Sequence, residues 1–181
     1  VPALRGLPGS DLQMTISMYQ ASAPRFANTL KNLSAILDKA QAHCEARKID
    51  PLVLTSSRLY PDMFPFTRQI QIACDGAKGA CARLAGVENP SFEDNEHTFA
   101  DLKARIAKTA DFIGSIKPAQ IDGSDDKDIT LKVGGKDVTF KGLQYLCGHA
   151  LPTFYFHIVT AYNILRHNGV EIGKRDYIGT P

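Results

Sequence analysis

Between Phe26 and Cys44 the apolar residues Phe26, Leu30, Leu33, Leu37, Ala40 and Cys44 follow one another at steps of four, three, four, three and four. At 3.6 residues per turn that spacing keeps them on one side of a helix, and a helix with one apolar side must bury it against a partner. The pattern returns in three later stretches. Phe66, Ile70, Ala73, Ala77, Ala80 and Leu84 form a second stripe, stopped by Gly86, and Phe99, Leu102, Ile106, Ala110, Ile113 and Ile116 form a third, closed by Pro118. Phe154, His157, Ile158, Ala161, Ile164 and Leu165 form the fourth, ending at Asn168-Gly169. Two short links and one long crossover join them, and an all-α four-helix bundle buries the four together most simply.

The punctuation between stripes predicts the remaining elements. The first helix runs from about Ser17 to Arg47, with Pro24 near its first turn or bending it. Ile49 to Tyr60 reads as an irregular connection with one helical turn. Asp62 is the expected N-cap of the second helix, with Pro65 tolerated in the first turn. Val87 to Glu93 is a loop, and Thr98 to Ile116 the third helix. Ile129–Val133 and Val138–Phe140 alternate apolar and polar residues around Gly134-Gly135, the mark of a β-hairpin inserted before the last helix. The fourth helix begins near Leu143 and is interrupted or kinked at Pro152. The tail folds back along the bundle with Tyr177 and Ile178 as anchors.

A chain of 181 residues, 44% of them hydrophobic, suits one well-buried core, expected over residues 14–181, with 1–13 as an N-terminal arm or residues foreign to the fold. Met14 reads as a natural start. Twenty-one basic and 19 acidic residues are mixed along the chain, which excludes broad attraction to nucleic acid or to a membrane surface; only Gly173-Lys174-Arg175 is locally basic. No apolar run has bilayer-crossing length. Cys44, Cys74, Cys81 and Cys147 show no zinc-site spacing and fall in predicted helices, as buried thiols. With no secretory leader in view, they point to a reducing, cytoplasmic setting. Asp122 to Val133 spaces its acids somewhat like a calcium loop, but Lys127 stands where that turn needs glycine and Val133 where the bidentate glutamate belongs, so a solvated loop is expected. Gly173-Lys174 lacks the spacing of a phosphate loop.

The distinctive chemistry concentrates on the fourth helix. His157 lies on its buried side and must find a partner for its ring nitrogens, either a neighbouring carboxylate or carbonyl or a ligand. Tyr155, Val159, Tyr162 and Arg166 form an adjoining stripe. Near the second helix, Arg58, Asp62, Gln69 and Asp75 bring polar groups together, and an Arg58–Asp62 bidentate pair would fix how the connection docks. Arg58 or Arg166 could instead hold an anionic group. Glu96 reads as an acid favoured near a helix start. His43, His97 and His167 fall on helix ends or outward stripes, and His149 precedes the kink. The candidate ligand-binding set is therefore His157, Tyr162, Arg166, Arg58, Asp62 and Gln69, with no catalytic residue assigned.

The segments RLYPDMFPFTRQIQIACDGAK, ARLAG and FYFHIVTAYNILRHNGVEIGKRDYIG resemble an uncharacterised, mainly bacterial family of unknown function within the DinB-like (YfiT-like) superfamily. The resemblance runs from about Met14 to Gly179. It implies a DinB-like four-helix bundle, often dimeric, with the hairpin as a small insertion between the third and fourth helices. In other branches it implies a divalent metal held by three histidines, one on the second helix and an HxxxH pair on the last, and in some a thiol-dependent transferase activity. Here His157 matches the first member of the pair, but Ala161 holds the second place, and no histidine occurs from Asp62 to Gly86.

Two functions follow as expectations. The first is a metal-free bundle that binds a small molecule or acts as a homodimeric module, with no cofactor. The second is a DinB-like metal-dependent transferase or hydrolase in which Asp62, Asp75 or Glu96 rebuilds a site for a divalent ion such as zinc or nickel. Neither expects nucleic acid or membrane as partner.

Overall fold

The computed structural model describes residues 16–179, so the expected arm at 1–13 and the Met14 start lie outside the described residues. Helices α1 (Met18–Ala21) and α2 (Ala23–Arg47) replace the continuous first helix, and Ser22 breaks it. Its hydroxyl donates to the Met18 carbonyl at 2.6 Å, so the side chain competes with the helical ladder where Pro24 opens the new first turn. A short α3 (Pro51–Thr55), capped by Asp50, supplies the expected turn. Then follow α4 (Phe66–Ala85), α5 (Phe99–Ser115), a single turn α6 (Pro118–Ile121), the strands β1 (Asp128–Val133) and β2 (Lys136–Lys141), α7 (Gly142–Tyr145), a π-turn (Leu146–Ala150), α8 (Leu151–His167) and α9 (Lys174–Ile178).

The long helices α2, α4, α5 and α8 close a four-helix bundle in the spatial order α2, α5, α4, α8. Every residue of the α2 stripe is buried, as are those of α4. Phe26 of α2 meets Phe154 of α8 edge-on at 4.9 Å between ring centres, and Phe66 meets Phe99 at 6.1 Å. The antiparallel hairpin turns at Gly134 (φ 57°) and Gly135 (φ 83°), both left-handed as a two-residue loop demands. No helix among the described residues is long and apolar enough to cross a membrane.

Five further expectations need correction. Asp62 does not cap α4: the helix opens at Phe66 with Pro65 extended before it (φ −69°, ψ 166°), because a proline drives the residue preceding it out of helical conformation. The last helix is interrupted upstream of Pro152. A proline ring would strike the carbonyl four residues back, and the wider π-turn, in which Leu151 N–H reaches the Leu146 carbonyl, admits it. The crossover loop is packed rather than merely solvated: Ser124 is buried, and Lys127 Nζ donates to the Arg83 carbonyl at the end of α4, at 3.0 Å. The tail is anchored by Val170 and Ile172, both buried, while Ile178 is exposed; Tyr177 does pack, its ring edge-on to Tyr162 at 6.0 Å. Of the cysteines, Cys44, Cys74 and Cys81 are buried free thiols, but Cys147 stands exposed on the π-turn, where the changed pitch rotates it outward. Burial pushes the Cys74 and Cys81 thiols up to about 12, which leaves them unreactive.

Candidate functional site

Gln69 lies in the first turn of α4 on its inward side, and only 2% of it is exposed. Its Nε2 donates to the Phe64 carbonyl at 3.0 Å, and a carbonyl can only accept. The amide is thereby oriented, and its Oε1 faces His157 Nδ1 of α8 at 2.7 Å. An amide oxygen also only accepts, so His157 Nδ1 carries the hydrogen and Nε2 keeps its lone pair. Burial, and then the positive charge of Arg68, hold the His157 pKa below its ordinary 6.5, so the ring is neutral at pH 7. The result is a half-buried imidazole of fixed tautomer whose second nitrogen can accept a hydrogen bond or a proton.

The donor set does not fit a three-histidine metal centre. Ala161 offers no donor one turn beyond His157, and the group that meets His157 from α4 is an amide that ties up Nδ1. Asp75 and Glu96, the acids that would have to rebuild such a centre, are both ion-paired to Arg105, at 3.0 and 2.9 Å. Asp62 lies exposed on the turn from Tyr60 to Met63. Among the described residues no group of three or more histidine, cysteine or acidic side chains is placed to hold a metal ion.

Of the sequence-predicted residues the structure brings Gln69 and His157 together and separates the others. Tyr162 is half-buried, and its hydroxyl donates to the Ile172 carbonyl at 3.3 Å, so it holds the tail. Arg166 is exposed in the last turn of α8, where a cation suits the helix dipole. The Arg58–Asp62 pair is absent: Arg58 Nη1 donates to the Pro61 carbonyl at 3.3 Å, because the chain turns at Tyr60–Met63 instead of starting a helix that would present Asp62. The dock of α3 on α4 is made instead by the Thr67 hydroxyl, which donates to the Thr55 carbonyl at 3.1 Å, and by Phe66 N–H, which donates to the Ser57 carbonyl just beyond α3 at 2.8 Å.

Sequence reasoning missed Arg105. It is 3% exposed on α5, with Nη1 donating to Glu96 Oε1 and to the Glu93 carbonyl, both at 2.9 Å, and Nη2 lying 3.0 Å from both Asp75 and Asp94. Burial opposes its charge, but the Glu96 hydrogen bond and Asp75 more than offset this and raise its pKa. Gln71 Nε2 donates to Glu96 at 2.9 Å, Arg68 pairs with Asp94, and buried Lys78 pairs with Asp75 at 3.2 Å and donates to the Pro90 carbonyl. Phe92 lies 4.0 Å under Lys78 and 4.1 Å under Lys108. Together these contacts strap the extended segment 87–97 across α4 and α5. In its ion pairs three cations, Arg68, Lys78 and Arg105, meet three anions, Asp75, Asp94 and Glu96, so the paired charges balance. The available signal was position: Arg105 follows Leu102 by three and precedes Ile106 by one, within the apolar stripe, where a guanidinium needs acids.

Comparison with known proteins agrees with this architecture. Residues 18–178 match the family model described as a domain of unknown function, DUF1993. The crystal structure of a DinB family member protein from Shewanella denitrificans is 43% identical, covers 90% of this chain and 92% of that one, and superposes with a TM-score of 0.82. No curated protein matches. The sequence match over nearly the whole described chain and the shared helical fold lead to one assignment: the chain belongs to the DUF1993 family, a domain of unknown function of DinB-like kind.

Proposed function

We propose that this protein is a metal-independent DinB-like bundle that binds a small molecule at the His157–Gln69 pair and works as a homodimer. The observation that carries the reading is the 2.7 Å contact between Gln69 Oε1 and His157 Nδ1, with Gln69 itself fixed by the Phe64 carbonyl. It leaves Nε2 as an acceptor for a hydroxyl, amine or amide N–H of a ligand. A neutral imidazole in place of a cationic one favours an uncharged or hydrogen-bond-donating partner over an anion. The dimer is supported by exposed apolar side chains around the pair. Phe156, which meets His157 edge-on at 5.2 Å, is 59% exposed, and Val159 and Phe64 are 41% and 55% exposed. A contiguous apolar patch on the outer side of a bundle helix is the kind of surface that a partner covers.

Protein purified without chelator should carry no stoichiometric transition metal, and His157→Ala should not change its metal content. A thermal-shift screen of metals, thiols and small hydrogen-bonding molecules should yield stabilisers that the His157→Ala variant no longer recognises, since binding to the native state raises its stability by mass action. A stoichiometric divalent ion lost on His157→Ala would overturn this reading in favour of a metal-dependent transferase or hydrolase. Light scattering showing only monomer at low protein concentration would remove the homodimer.

A further inference from the structure

A second cleft, of about 430 Å³, lies between the C-terminal half of α4 and the segment 89–92, away from the His157–Gln69 pair. Arg83 is its half-buried cation. The side chain lies back along α4 over Gly79, where an added Cβ would stand 2.5 Å from Arg83 Nη1 and 3.5 Å from Asn89 Nδ2. The missing side chain at residue 79 thus lets a guanidinium and an amide NH2 meet above the helix backbone. Arg83 Nη1 donates to the Tyr145 hydroxyl at 3.2 Å, which sets the plane of the guanidinium. Among the described residues no carboxylate lies within ion-pairing distance of Arg83. Asp75 lines the same cleft, but its charge is engaged by Lys78 at 3.2 Å and Arg105 at 3.0 Å. Lys127, bonded to the carbonyls of Arg83 and Leu84, offsets the negative end of α4 that would otherwise repel an anion.

We infer that this cleft is an oxyanion site, in which Arg83 and the Asn89 amide receive a carboxylate or phosphate group. A planar guanidinium presents paired N–H donors at the spacing of two such oxygens, and a neighbouring amide donor completes a third contact.

The test is titration of the whole protein with inorganic phosphate and, separately, with acetate, at constant ionic strength, followed by amide chemical shifts. Saturable shifts centred on Gly79, Arg83 and Asn89 are expected with at least one of the two, and the tighter anion identifies the oxyanion. Arg83→Gln should weaken binding about ten-fold or more, the scale of one charge-assisted hydrogen bond. Gly79→Ala keeps every charge and favours the helix, yet fills the recess, so it should weaken binding several-fold without lowering stability. If Arg83→Gln fails to fold, Gly79→Ala decides alone. Linear, unsaturating shifts with both anions, or unchanged affinity in Gly79→Ala, would overturn the assignment.

Discussion

Replacing Arg105 with methionine keeps the aliphatic volume of the side chain and removes its charge, which isolates what the clamp contributes. The acids around it are not equal. Asp75 and Asp94 each keep 41% of their side-chain surface exposed and retain Lys78 and Arg68 as partners, so losing Arg105 costs each of them little. Glu96 is only 8% exposed and loses its one cationic partner, retaining the amide of Gln71. The dominant cost is therefore a single buried carboxylate left without its counter-charge, roughly 3–5 kcal/mol. Against a total stability of about 5–15 kcal/mol for a domain, that is a large fraction. The melting temperature should fall by roughly 6–20 °C, at 2–4 °C per kcal/mol for a chain of this size. Urea unfolding should show a lower midpoint with an unchanged slope, since the same surface is exposed on unfolding. Adding Glu96→Gln should return part of the loss, because a neutral amide needs no cation, and the double-mutant coupling should be at least about 1 kcal/mol. A loss below about 1 kcal/mol for Arg105→Met alone would refute the argument that Glu96 depends on it.

Other outcomes follow from particular contacts. Gly142 packs so closely on the Ser124 carbonyl that an added Cβ would overlap it, so Gly142→Ala should cost roughly 1–3 kcal/mol by thermal or urea unfolding, as overpacking against fixed backbone does. Phe26→Ala removes the ring that meets Phe154 edge-on in the core and should cost about 3–5 kcal/mol, read from the same urea curves. Because the His157 pKa is lowered in the folded state, the unfolded chain binds the proton more readily. The stability this residue contributes is complete above its ordinary pKa of 6.5 and is lost as pH falls toward the lower folded value; unfolding midpoints of wild type and His157→Gln should therefore converge on acidification from pH 7.

The sequence carried the bundle because its information is periodic. The stripes from Phe26, Phe66, Phe99 and Phe154 each repeat over several turns, and Gly86, Gly134, Gly135 and Gly169 take the positive φ that ends or reverses an element. The errors arose where one residue outweighs a pattern. Pro65 displaced the α4 start from Asp62 and so abolished the Arg58–Asp62 pair, and Pro152 was accommodated by a π-turn instead of a kink. His157 and Gln69 were both legible as polar residues on or beside apolar stripes, but not as partners, since 88 positions separate them and only the antiparallel packing of α4 on α8 aligns them. The Arg105 clamp was invisible for a related reason. Its acids come from α4 and from an aperiodic segment, so nothing in the spacing links them.

The protonation of one ring tests the account most directly. Long-range nitrogen–proton correlation spectra of the imidazoles at pH 7, without chelator, should show His157 neutral with its hydrogen on Nδ1, and Gln69→Leu should abolish that preference. A hydrogen fixed on Nε2, or a nitrogen shift that reverts only when a bound metal is stripped, would contradict it.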